Sequence, residues 1–261
     1  LGMVAQVYGL DTKTEFRTVL ETAANLAGLH DVEAEIRGDR PAEPRRPMPP
    51  TPAPVPEPEY PDEAEVRALW EGAGDPSRDP EASAALMGRS LDPGITHDRR
   101  LLRVLIPGQD LPLWARFRGR SWADTGHRLI TRVWCPQGRA RSVRAWRVGE
   151  GDSPKRLPPS GCRAVGLVLA NGSAHALLTG ERSKPCRVVI VEGEPDWVTW
   201  CQQTAAPVFG ALSGAWGPAF ARRIPAGSEV VIRTHRDQAG DRYAAKVAET
   251  LGERVAIWRA A

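Results

Sequence analysis

Two short stretches in the last third of the chain carry side chains suited to metal-assisted chemistry: Arg187-Val-Val-Ile-Val-Glu192-Gly-Glu-Pro-Asp196 and Glu229-Val-Val-Ile-Arg-Thr-His235-Arg-Asp237-Gln-Ala-Gly240. Each is a brief apolar run ending in acidic or metal-capable groups. The run from Cys186 to Val191 is too short for a helix and rich in β-branched residues. It predicts a buried strand of a parallel sheet with Glu192 at its carboxyl end. Pro195 suits the first turn of a following helix, where its missing N–H costs nothing. The second unit repeats the design, with Val230 to Arg233 as strand and Asp237 just past its end. A helix from about Gln238 to Leu251 then carries Tyr243, Ala244, Val247 and Leu251 on one face and stops at Gly252. In an open α/β sheet, side chains at neighbouring carboxyl ends converge on the crevice where ligands bind. Glu192 and Asp237 are therefore candidates to share one divalent cation.

This pattern resembles the Toprim domain, the metal-binding fold shared by bacterial-type primases, topoisomerases and some nucleases. Its signature is a Glu-Gly-x-x-Asp after one strand and an Asp-x-Asp-x-x-Gly after a later one. Glu192, Gly193 and Asp196 complete the first motif; in the second, Asp237 and Gly240 hold their places and His235 stands where the first Asp belongs. The resemblance implies that Glu192 acts in general acid–base work or binds metal and that Asp237 is a metal ligand, with Asp196 in support. It also implies Mg²⁺ or Mn²⁺, which carboxylates hold so that charge on phosphoryl oxygens is neutralised. An imidazole makes such a site softer and less anionic, and Mn²⁺ tolerates nitrogen better than Mg²⁺ does. His235 is thus either a Mn²⁺-compatible ligand or a lesion; both readings stand. No zinc site is expected in this chain, because Cys135, Cys162, Cys186 and Cys201 form no Cys-x-x-Cys pair.

Charge is unevenly spread. The net charge of the 261 residues is only +3, yet Trp114 to Arg156 holds eleven lysines and arginines against Asp124, Glu150 and Asp152. A local basic surface is the electrostatic footprint of phosphate binding. Scattered thiols fit a reducing compartment, and no apolar run is long enough to cross a bilayer, so a cytoplasmic protein with no membrane partner is expected.

Residues 1–30 contain the capping-box sequence Thr12-Lys-Thr-Glu15, which opens a helix with Phe16, Val19, Leu20, Ala23 and Leu26 at helical spacing. With the preceding run Leu1 to Leu10, this segment resembles the tail of the zinc-binding domain ahead of the primase core. Residues 31–61 form a linker: ten of the 24 prolines lie between Pro41 and Pro61, a composition that favours an extended spacer. From Asp62 to residue 183 a basic subdomain is expected, with Asp62 and Asp79 as helix caps. Leu129 to Trp134 and Ala140 to Val148 should form a hairpin around Cys135-Pro-Gln-Gly138. Arg139, Arg141 and Arg147 are assigned to one face of the second strand, Val143 and Ala145 to the other. Residues 184–261 form the Toprim subdomain. The fold class is α/β: a Toprim-like parallel sheet flanked by helices, preceded by a strand-rich basic subdomain.

That order is similar to the RNA-polymerase core of bacterial-type primases, in particular the Toprim primases of phages and mobile elements. The resemblance implies a nucleotidyltransferase that synthesises short primers on single-stranded DNA from nucleoside triphosphates. Arg128, Arg132, Arg144, Lys155 and Arg156 become the candidate contacts to template and nucleotide phosphates. The start at Leu1 and the few residues after Trp258 suggest a piece of a larger protein, with a helicase as a possible further domain or partner. Two other functions compete: a Toprim nuclease using the same cation to cut, and a degenerate module that binds nucleic acid without catalysis.

Overall fold

The computed structural model describes residues 2–11, 13–27, 60–162, 165–212 and 215–259. They belong to two compact units, Leu1–Pro56 and Glu57–Ala261. Most of the proline-rich stretch lies outside the described residues.

The first unit contains helices α1 (Gly2–Tyr8) and α2 (Phe16–Leu26). Thr12, the expected cap, also lies outside the described residues. The Glu15 carboxylate accepts the backbone N–H of Asp11 at 2.9 Å, and α2 begins one residue later. Val19 and Ala24 are buried, whereas Phe16 and Leu26 are exposed, because two short helices offer too little surface to cover the whole apolar stripe.

In the second unit, one local device starts three helical segments. Asp75-Pro76, Asp79-Pro80 and Asp92-Pro93 each place an Asp at the cap, where its side chain accepts the backbone N–H of Ser77, Ala82 and Ile95 respectively. The proline occupies the first turn, where no N–H is needed. These residues open a 3₁₀ turn (Pro76–Arg78), α4 (Pro80–Met87) and α5 (Pro93–Asp98). Ahead of them lies α3 (Glu63–Gly72), capped by Asp62, which accepts the N–H groups of Ala64 and Glu65. Its buried residues are Val66, Leu69 and Trp70.

The expected hairpin forms between β4 (Leu129–Trp134) and β5 (Ala140–Trp146), paired from Leu129↔Trp146 to Trp134↔Ala140 with a bulge between Val133 and Trp134. Gly138 in its loop has φ +73°, and a Cβ there would lie 2.7 Å from Thr179 Cγ2, so only glycine fits. The face assignment within β5 is corrected. Residues of one parity share a face, and Val143 and Ala145 are buried against α3 on the same side as Arg141, which meets Glu63. β1 (Arg103–Val104) pairs with β4, and β6 (Arg156–Leu157) with β5. A separate hairpin joins β2 (Arg116–Phe117) and β3 (Arg120–Ser121).

The remaining strands form a parallel block: β8 (Arg187–Glu192), β9 (Val208–Ala211), β10 (Glu229–Arg233) and β11 (Ala256–Arg259), in the spatial order β11-β10-β8-β9. β7 (Val168–Ala170) runs antiparallel to both β9 and β4 and joins the two halves into one nine-stranded mixed sheet. Around it lie α6 (Gly172–Thr179), α7 (Glu194–Gln203), α8 (Pro218–Ala221) and α9 (Gln238–Leu251). The unbroken apolar run of β8 has a physical cause. Val189 and Val191 pack with Trp197, Val198 and Cys201 of α7, while Val188 and Ile190 pack with Ala244, Val247 and Leu251 of α9. Both faces of the strand are covered, so neither can be polar. The expected α/β class is the observed one. Among the described residues no helix is long and apolar enough to cross a membrane.

Gly210 in β9 lets α7 approach the sheet: an added Cβ would lie 2.9 Å from both Leu169 Cδ1 and Trp197 Cβ. Gly210→Ala is expected to destabilise the second unit by about 1–3 kcal/mol through overpacking, read as a lowered denaturation midpoint with an unchanged slope.

Candidate active site

Glu192 ends β8 and is half-buried. Gly193 follows with φ +86°, a left-handed turn that glycine adopts without strain, and α7 starts at once. β8 and β10 are neighbours in parallel register, with Ile190 opposite Ile232 and Val191 opposite Arg233. The loop after β10 therefore lies beside Glu192, and the His235 backbone N–H points at Glu192 Oε2 at 3.4 Å. The side chains of His235 and Asp237 are exposed.

Asp237 has a defined local task. It caps α9, with Oδ1 accepting the Gly240 N–H at 2.7 Å. The Asp-x-x-Gly spacing is thus a capping turn. Gly240 is buried against the loop backbone: an added Cβ would lie 2.1 Å from the His235 carbonyl oxygen, so any side chain would push the His235 loop away. Asp196 lies exposed in the first turn of α7. The structure brings Glu192 together with the loop that bears His235 and Asp237. Among the described residues there is no group of three or more His, Cys, Asp or Glu arranged to hold a metal ion. Behind Glu192, on α9, burial and then the Glu192 negative charge push the Tyr243 phenol well above its ordinary pKa. Arg233 stacks over the Trp200 ring at 4.8 Å.

Glu194 dominates the charge balance next to this edge. It is 3% exposed, and its Oε1 accepts Arg144 Nε at 2.7 Å. Arg156 Nε forms an ion pair with Oε2, without hydrogen-bond alignment, while the Arg156 guanidinium also lies 4.6 Å from the centre of the Trp146 ring. Burial draws the Arg156 pKa down and Glu194 opposes that shift. The cluster ties β5 and β6 to the first turn of the helix that follows Glu192.

The five basic candidates therefore occupy different settings. Arg144 and Arg156 face Glu194. Arg128 is held by Asp79, which also caps α4, and by Glu81 at 2.9 Å. Arg132 is enclosed between the rings of Trp70 and Trp134, at 4.4 and 4.5 Å from their centres. Burial, with the like charges of Arg103 and Arg100 behind it, lowers its pKa to about 10. Lys155 is exposed and has no carboxylate partner among the described residues. Sequence reasoning passed over two features. One is Glu194, whose pairing depends on strands far away in the chain. The other is the β2–β3 hairpin, where Arg116, Arg118 and Arg120 are exposed around Phe117; the alternation Arg-Phe-Arg-Gly-Arg was its available signal.

Glu194→Gln removes the carboxylate that two enclosed guanidiniums share. Breaking such a buried pair costs about 3–5 kcal/mol, so chemical denaturation should show a loss of that size, whereas Asp241→Asn, at the exposed pair with Arg259, should stay within about 1 kcal/mol.

No family model matches the sequence, and no curated protein does. Solved structures match in fold. The crystal structure of the Aquifex aeolicus primase, comprising zinc-binding and RNA polymerase domains, superposes with a TM-score of 0.52 at 16% identity, covering 76% of this chain and 53% of that one. This chain thus spans about half the length of the Aquifex chain. A DNA primase domain from Pseudomonas aeruginosa gives 0.52 at 20% identity over 76% of this chain and 70% of that chain. The DnaG primase catalytic domain bound to single-stranded DNA gives 0.54 at 18% identity over 76% and 73%. With its antiparallel and parallel halves in one sheet and helices around it, the chain has the fold of a bacterial-type primase catalytic core.

Proposed function

We propose that this chain is a primase-like nucleotidyltransferase that builds short primers on single-stranded DNA from nucleoside triphosphates. The observation that carries the reading is the placement of Glu192 beside the 234–237 loop at the carboxyl edge of two adjacent parallel strands, within a primase-core fold. The similar DnaG domain bound to single-stranded DNA supports a DNA template. The setting in a phage or mobile element rests on the sequence resemblance.

The donor set suits Mg²⁺ or Mn²⁺ of a particular kind. Mg²⁺ keeps several waters and is commonly held by one or two carboxylates together with substrate phosphates. Glu192 and the free oxygen of Asp237 fit an ion of that sort, completed by the nucleotide, rather than a cage formed beforehand. When bound, such an ion would supply neutralisation of charge on the phosphoryl oxygens and orientation of the attacking and leaving groups. Gly193 and Gly240 shape the two loops, Asp196 lies near the start of α7, and Glu194 with Arg144 and Arg156 fixes the position of that helix. Lys155 remains as an exposed phosphate contact. A second reading, a module that binds nucleic acid without catalysis, is favoured by one observation: His235 occupies the place of a carboxylate and points into solvent.

The decisive assay is primer synthesis on single-stranded DNA with nucleoside triphosphates and Mg²⁺ or Mn²⁺. A labelled product is expected, and Glu192→Gln should lower its rate by about 10²-fold or more. Asp237→Asn is the sharper probe. Asn caps helices as well as Asp does, so stability should hold while synthesis falls; equal loss of both would make Asp237 a cap only. His235→Asp should tighten Mg²⁺ binding by calorimetry, and no change would remove position 235 from the ligand set. Cleavage without synthesis would favour a nuclease, and binding without either the second reading.

Strand binding should weaken steeply as salt rises, with a log–log slope near −0.7 per phosphate contact. Lys155→Gln should flatten that slope by about 0.7, and an unchanged slope would place the strand elsewhere.

A further inference from the structure

Between α3 and the β4–β5 hairpin lies a cavity of about 240 Å³ lined by Glu63, Arg67, Trp70, Glu71, Arg132 and Arg139. It belongs to the opposite face of the sheet from Glu194. Arg132 shares its side of β4 with Ile130, which packs in the cluster of α3, whereas Leu129 and Val133 pack in the cluster of α7. Arg144, one residue on from Val143, points with them towards Glu194.

Arg132 is unusual among the enclosed arginines. Arg128, Arg141, Arg144 and Arg156 each meet a carboxylate. Arg132 forms no ion pair among the described residues, the Glu71 charge acting on it only from a distance, and its buried Nε has no hydrogen-bond partner there. The centres of two indole rings lie 4.4 and 4.5 Å from the guanidinium, which stabilises the cation but offers its N–H groups no acceptor. Of the acids in the wall, Glu63 is already shared by Arg139 at 3.2 Å and Arg141 at 2.6 Å. Arg67 is exposed at the rim with no ion pair among the described residues. Glu71 is the one lining carboxylate without an ion pair there. The wall thus sets three guanidiniums against two carboxylates, one of which, Glu63, is already engaged.

We propose that this cavity is a binding site for a phosphate or pyrophosphate group, with Arg132 as the oriented donor and Arg67 and Arg139 closing around the anion. A guanidinium fork matches two phosphate oxygens at once. The volume is below the range of about 300–1,000 Å³ usual for drug-sized ligands, which favours a small anion, or the terminal phosphates of a nucleotide, over a nucleic-acid strand. The site does not depend on primer synthesis or on a divalent ion.

The test is calorimetric titration of the full chain with inorganic pyrophosphate in the presence of a chelator, which leaves the Glu192 edge without metal. One site is expected. Arg132→Gln should weaken it at least tenfold and Arg67→Gln several-fold, while Glu71→Gln should tighten it. Arg67 and Glu71 are exposed, so these two variants decide the matter even if Arg132→Gln fails to fold. A nucleoside triphosphate that competes would identify the source as nucleotide, and failure to compete would identify the free anion; either supports the site. Absence of pyrophosphate binding, binding unaffected by both Arg67→Gln and Glu71→Gln, or loss on Lys155→Gln instead would overturn it. Displacement of pyrophosphate by an oligonucleotide without terminal phosphates would assign the cavity to a strand and overturn the small-anion reading.

Discussion

A carboxylate enclosed among apolar side chains must be paired, and Glu194 meets that demand with two guanidiniums from the other half of the sheet. The consequences spread outward from it. Arg144 lies on β5 and Arg156 on β6, strands of the antiparallel half, while Glu194 opens the helix that follows the parallel strand β8. Moving any one of the three away would leave a charge in low dielectric without compensation. The start of α7 is therefore fixed, and with it Glu192, two residues earlier, at the carboxyl edge. A hydrophobic contact of similar area would hold the halves together but would tolerate sliding. Charge-assisted hydrogen bonds fix direction as well as distance.

The other wall of the edge is built by a cap. Asp237 accepts the N–H of Gly240, and Gly240 lies so close to the His235 carbonyl that no side chain fits. One short turn thus starts α9 and presses the His235 backbone towards Glu192. Its shape does not depend on which side chain position 235 carries, because the contacts that define it are made by backbone, Asp237 and Gly240. The chemistry of that position can therefore change while the loop keeps its course.

On the far face a different interaction orders the antiparallel half. Arg103 and Arg132 lie 5.2 and 4.4 Å from the centre of the Trp70 ring, Arg132 lies 4.5 Å from Trp134, and Trp134 meets the His175 ring at 4.3 Å. Cations and aromatic rings alternate from β1 to α6. Each desolvated cation–π contact contributes up to about 2 kcal/mol, enough to keep a guanidinium in place without a counter-ion but not to satisfy its donors.

Local chemistry made much of this legible beforehand. The two strand–acid–helix units could be read because β8 and β10 are covered on both faces and so run apolar without interruption. Although the capping role of Asp237 came only with the structure, the caps Asp62 and Asp79 could be read because each sits where a helix must begin. The hairpin at Gly138 was legible for the same reason: its turn needs a residue with φ above zero. The primase-core fold was expected only through the resemblance of these motifs and their order to a known family, and the solved structures bear it out. Tertiary structure alone decided how the basic residues are used. Arg128, Arg132, Arg144 and Arg156 look alike in the chain, yet one meets two acids from α4 and the turn before it, one lies between two indoles, and two share Glu194. Those partners are distant in sequence, and only the packing of the sheet halves brings them within reach. Local residue chemistry sets where strands end and helices start; which charges are neutralised and which remain free for a ligand is a property of the assembled fold.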